Sequence, residues 1–175
     1  MAFEKYELDK KLVGLTRIIL GGVFLWPFLD KLLGLGFSTA PENAYLAGAS
    51  PSQGYLLYAT NQSSPFAFLF TDILGEMYFI VDILLMGMFL VVGMSLILGI
   101  MTRIGGISGA IFMISIILAS WPFFIEGSHN PIIDAEHMVF ALLLLLMATI
   151  PSGEYLGLGK RWSELSIVQK FPILR

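Results

Sequence analysis

Apolar positions along this chain come in long runs rather than in alternation or in narrow stripes. A helix crossing a bilayer needs about 20 mostly apolar residues. Four stretches qualify: Leu12 to about Leu35, about Tyr78 to Ile100, Ile104 to Ile125, and Pro131 to Ile150. Pro27 interrupts the first, and "FAFLFTDILGEM" leads into the second. The third carries no charge inside it, and the fourth opens on "PIIDAEHM" before "VFALLLLLMATI". This pattern predicts an all-α integral membrane protein, a bundle of four transmembrane helices forming one domain over 1–175. Between the first two spans, "GASPSQGYLLYATNQSSP" offers Ser50 as a helix N-cap and Pro51 at the first helical position. Tyr55, Leu56 and Tyr58 would then lay a short helix along the interface, giving a structured loop. The tail "GKRWSELSIVQKFPILR" mixes Trp162, Leu165, Ile167, Val168 and Phe171 with basic residues, an amphipathic anchor partly held by anionic lipid.

Composition strengthens the membrane reading. The chain is 57% hydrophobic and 13% charged, against roughly 45–50% and 25% in soluble domains, and its mean hydropathy is +0.82. The net charge of −3 says less than where the charges stand. Lys5, Lys10, Lys11, Arg103, Lys160, Arg161, Lys170 and Arg175 fall on one side of a four-span topology. The opposite loops, Gly36 to Ser64 and Glu126 to Asn130, hold no Lys or Arg. The positive-inside rule then predicts a multi-pass protein of the cell membrane with both termini cytoplasmic. The N-terminal apolar run follows several charges without a small-residue cleavage site and reads as a retained helix. Cys is absent, which removes disulfides, thiolate nucleophiles, iron–sulfur clusters and thioether-linked haem. Nothing suggests flavin or nucleic acid.

The chemistry-bearing residues gather near one membrane face. Asp30 and Lys31 lie roughly 27 Å along the first span at 1.5 Å per residue. Asp72 and Glu76 precede the second span, Asp82 lies within it, and Asp134, Glu136 and His137 occupy the start of the fourth. A charge facing lipid costs roughly 2.5–3.5 kcal/mol on insertion scales, so Asp82 must face the interior and find a donor or remain protonated. Arg17 either faces inward too or reaches the cytoplasmic headgroups. The others have ordinary readings beside the chemical ones. Acids in a first helical turn complement the helix dipole, Lys31 can snorkel, and Asp72 and Glu76 can stand in water. His137 is either a hydrogen-bonding group of the bundle or, three residues after Asp134, half of an acid–imidazole couple for proton transfer. With His129 in a loop, bis-histidine haem is not expected, and carboxylates with His137 show no diagnostic metal spacing. Such a cluster beside aromatic residues (Trp26, Phe28, Trp121, Phe123, Phe124) suits a quinone, whose reduction takes up protons with electrons. The catalytic candidates are therefore Lys31, Asp30, His137 and Asp134, and the quinone-binding candidates Trp26, Asp82, Glu76 and Trp121.

The stretches "GVFLWPFLDKLLGLGFSTAPENAYLAGASPSQGYL", "NPIIDAEHMVFALLLLLMA" and "GLGKRWSEL" resemble the DoxX superfamily, and within it the DoxD-like small subunit of thiosulfate:quinone oxidoreductase. The resemblance implies a four-helix membrane fold and oxidation of thiosulfate to tetrathionate, with electrons passed to a membrane quinone. It also implies a separate DoxA-like partner subunit and association with a terminal quinol oxidase. Two other functions fit the residues: a non-catalytic accessory subunit of a respiratory complex, and a small transporter or proton conduit. The almost purely apolar inner half ranks the last one lowest.

Overall fold

The computed structural model describes residues 2–123 and 134–175. Among them every regular element is helical. The first helix, α1 (Ala2–Leu33), is stopped by Gly34 in the left-handed region at φ +65°, a conformation that costs glycine little. A long connection follows, with π-helical turns at Tyr55–Ala59 and Leu69–Leu74. Then come α2 (Tyr78–Leu98), α3 (Thr102–Ser120), α4 (Ala135–Thr149) and two short tail helices, α5 (Gly159–Ser163) and α6 (Ser166–Lys170). Among the described residues three helices are long and apolar enough to cross a membrane: Glu7–Leu33 within α1, α2 and α3. The described part of α4, at 15 residues, is shorter than a span. The predicted start of that span at 131–133, the predicted end of the third at 124–125, Phe124 and His129 lie outside the described residues.

The helices pack in chain order, α1 on α2, α2 on α3, α3 on α4. Small residues set the close approaches. A Cβ on Gly93 would lie 2.8 Å from the Leu25 backbone nitrogen of α1, and one on Gly106 would run into the Leu144 carbonyl of α4. Gly22 and Gly87, by contrast, face open space. The core between the helices is built on Leu20, Phe24, Val92, Leu96, Leu144 and Met147.

The two ends of the bundle close differently. At the end holding the α2–α3 turn and the tail (the turn end), Arg17 is fully buried. Its guanidinium donates to the carbonyls of Leu96, Ile97, Ser152, Tyr155 and Leu156. Leu96 and Ile97 belong to the last turn of α2, whose carbonyls have no partner inside the helix and whose dipole favours a cation. Arg17 therefore faces inward, and it ties α1, α2 and the post-α4 segment together. In the tail Val168 is buried while Leu165, Ile167 and Phe171 are exposed.

At the opposite end (the loop end) the long connection caps α3. Ser64 Oγ donates to the Leu118 carbonyl, Asn61 N–H to that of Ala119 and Asn61 Nδ2 to that of Ser120. Leu56, expected at an interface, is instead buried against Phe70 and Ala119, whereas Tyr58 is exposed.

Candidate functional site

Toward the loop end the helices line a cavity of about 660 Å³, within the roughly 300–1,000 Å³ of small-molecule sites. Its body is apolar: Phe24 of α1, Leu85 and Phe89 of α2, Phe112 and Met113 of α3, and Phe140 of α4. Its polar lining comes chiefly from Lys31 on α1, Glu136 and His137 on α4, and Ser52 and Tyr55 from the connection. These chain-distant residues meet because α1 ends, and α2 and α4 begin, at the same end of the bundle. Pro27 also lines the cavity, and having no N–H it leaves the α1 hydrogen-bond ladder one bond short there.

The His137 ring is held by its own helix cap. Asp134 is the N-cap of α4 and accepts from the His137 backbone N–H at 3.0 Å. The same carboxylate lies 2.9 Å and 3.1 Å from His137 Nδ1. With an Nδ1–H donating to Asp134, the nitrogen left for the cavity is Nε2, the arrangement by which a carboxylate fixes a tautomer. Lys31 is half-buried, and among the described residues no carboxylate lies within 4.0 Å of its ammonium. The Tyr55 phenol is held above its ordinary pKa, first by burial and then by the Asp134 carboxylate, so it stays a hydroxyl donor through neutral pH.

The remaining candidates stand elsewhere. Asp30 is buried and accepts from Phe37 N–H, Ser38 N–H and Ser38 Oγ at 3.2, 2.9 and 2.6 Å. It fastens the chain leaving α1. Asp82 is also buried and accepts from Ser50 Oγ, Ser52 N–H and Ser52 Oγ at 2.8, 3.0 and 2.6 Å. The donor it requires comes from the connection, not from a neighbouring helix. Ser50 Oγ also accepts from the Gln53 N–H at 3.0 Å, the capping bond that its position before Pro51 predicts. Glu76 and Asp72 are exposed, and the α2 N-cap, Met77, separates them from the helix proper. Trp26 is 47% exposed and stacks edge-on against Phe37. Trp121 stacks on Phe66 and Phe123. Neither tryptophan lines the cavity.

The cavity aromatics are hard to pick out in the sequence because Phe24, Phe112 and Phe140 each sit inside an unbroken apolar run. Only the spacing Phe24–Pro27–Lys31, three and four residues apart, marks a shared face. Among the described residues no group of three His, Asp or Glu side chains is placed to hold a metal. No protein-family model, curated protein or solved structure matches the chain.

Proposed function

We propose that this chain is a DoxD-like member of the DoxX superfamily, the membrane subunit of a thiosulfate:quinone oxidoreductase. In this reading it crosses the cell membrane four times, its loop end faces outward, and both termini are cytoplasmic. The observation that carries the proposal is the cavity, an apolar body of about 660 Å³ with Lys31, Tyr55 and the Asp134–His137 couple around it. A quinone has the same division, with a ring bearing oxygen acceptors and an apolar tail.

The reaction joins two thiosulfate anions through a new S–S bond as tetrathionate and releases two electrons. The quinone takes those two electrons with two protons and becomes quinol. The protein's part at the quinone end is protonic and electrostatic. His137 in its imidazolium form donates from Nε2 to a ring oxygen, while Asp134 stabilises the charge. Lys31 and the Tyr55 hydroxyl donate to oxygens on which negative charge develops. Thiosulfate is a dianion, and among the described residues Lys31 is the one lysine or arginine lining the cavity, whose lining also carries the Glu136 carboxylate. Thiosulfate therefore binds at the surface shared with a DoxA-like partner, and the quinol goes to a terminal quinol oxidase.

The test is thiosulfate-dependent reduction of a quinone analogue by the detergent-purified chain, alone and with copurifying partners. Lys31→Ala and His137→Ala are expected to lower the rate at least about tenfold, general acid–base groups being worth typically 10²–10⁴. Unchanged rates in both variants would overturn the assignment of these residues. One observation favours the accessory-subunit reading: Asp30 and Asp82 are committed to holding the connection, so part of the polar cluster is architectural. Absence of activity with partners still bound would decide for it.

A further inference from the structure

The α2–α3 pair is pinned at the turn end and open toward the loop end. At the pinned end a Cβ on Gly105 would overlap Ser95 Oγ. Farther along, the facing residues Leu84, Leu85 and Met88 of α2 and Ile111, Phe112 and Ser115 of α3 line the cavity. Leu84 and Ile111 are 66% and 63% exposed although they belong to that lining. The cavity is therefore open to the outside of the bundle between them. Around this opening the helix surfaces are apolar: Ile80, Ile83, Ile107 and Ile114 are exposed as well. Asp82 is the only ionisable side chain on α2 apart from Tyr78, and it is buried; α3 carries Arg103 alone, at the turn end. An opening framed in this way faces lipid rather than water.

We infer that this gap is a lateral portal, through which an amphiphile with a neutral, oxygen-bearing ring and a long apolar tail, a prenylated quinone, loads from the bilayer. The ring comes to rest near Lys31, Tyr55 and His137, and the tail leaves past Leu84 and Ile111. The charges favour a neutral ring. The lining carries the Glu136 carboxylate as well as the Lys31 ammonium, and Asp134 lies against His137, so neither an anionic nor a cationic headgroup meets a surplus of opposite charge. The inference rests on the cavity being the quinone site, and it adds the route and the part played by the tail.

The experiment measures equilibrium binding, without turnover, to the full chain in detergent. The probes are one benzoquinone ring carrying either a decyl or a methyl substituent, with affinities corrected for partition into micelles. The decyl probe is expected to bind at least about tenfold more tightly, because buried methylenes add favourable transfer energy. Leu84→Trp combined with Ile111→Trp, which narrows the gap, is expected to weaken the decyl probe about tenfold and to leave the methyl probe within about threefold. Leu142→Trp, at a residue 66% exposed on α4 and outside the cavity lining, should change neither, and thermal unfolding of each variant checks the fold. Equal affinity for the two probes, or an unaffected decyl probe in the double variant, overturns the portal and leaves the ring site standing. Failure of both probes on the wild-type chain overturns the portal and the site together. Retention of a stoichiometric phospholipid that quinone does not displace also overturns both.

Discussion

Removing the guanidinium of Arg17 tests what holds the turn end together. Arg17 is fully buried and donates to five backbone carbonyls from two segments of chain, the last turn of α2 and the stretch after α4. Hydrogen bonds to a charged group contribute roughly 1.5–3 kcal/mol each, but five of them cannot be summed. They share one cation whose desolvation offsets much of the gain. Breaking a buried charged network typically costs about 3–5 kcal/mol, and that is the expectation for Arg17→Met. It leaves the last carbonyls of α2 without the donor they now have. At roughly 2–4 °C per kcal/mol for a chain of this size, the unfolding midpoint falls by about 6–20 °C. Arg17→Lys should recover less than half of the loss, since an ammonium cannot reproduce the planar fork of donors. Thermal unfolding of the detergent-purified protein, followed by tryptophan fluorescence, measures both. A midpoint within about 3 °C of wild type for Arg17→Met, or a lysine variant equal to wild type, would refute this role for the guanidinium.

Other substitutions probe separate parts of the molecule. Asp82→Ala deprives Ser50 and Ser52 of their acceptor and is expected to cost about 1–3 kcal/mol, with faster proteolysis in the Ser50–Ser64 connection than in the helices; an unchanged digestion pattern would count against that clamp. Gly93→Ala pushes a methyl into the Leu25 backbone and should destabilise by roughly 1–3 kcal/mol, while Gly22→Ala, facing open space, should not; equal midpoints would show that α1 and α2 are not held at close range. Tyr55 gives a pH signature. Its folded pKa is raised by burial and then by Asp134, so the folded state holds the phenolic proton more tightly than the unfolded one. The stability this contributes is complete below the unfolded value of about 10 and is lost as pH rises through the folded pKa. Alkaline unfolding should therefore steepen above about pH 10 in wild type and be shallower in Tyr55→Phe. Asp134→Asn should lower the pH at which the Tyr55 phenolate absorbs, and an unmoved titration would separate the two residues.

The long helices were legible because lipid demands continuous apolar runs, and α2 begins at Tyr78 as its hydropathy predicts. Asp82 was legible as a buried acceptor for the same reason, since a carboxylate among "YFIV" and "ILLMGMF" has no solvent to turn to. The Ser50 cap and the Asp134–His137 pair follow from local spacing alone and need no tertiary information. What the sequence hides is direction around a helix that is apolar on every side. Trp26 and Phe24 stand two positions apart in one run, yet Phe24 is fully buried and Trp26 is half exposed. Aromatic weight suggested the tryptophans as cavity lining, and packing chose the phenylalanines. The role of Arg17 was equally hidden, because its partners are carbonyls some 80 and 135 residues away and carbonyls leave no mark on a sequence. The division of acids into structural and cavity-lining sets depends on where the connection folds back. Asp30 is used by Ser38, and Glu136 is left facing the cavity.

The most direct test of the central claim, that the loop-end cavity holds a quinone, is photo-crosslinking with an azido-quinone, mapped by mass spectrometry of the purified chain. A quinone seated there should leave label on Tyr55, on the Leu84–Met88 and Ile111–Ile116 stretches and on His137 or Phe140, and the label should be lost when unlabelled quinone competes. Label confined to the turn end, or label that unlabelled quinone does not displace, would contradict it.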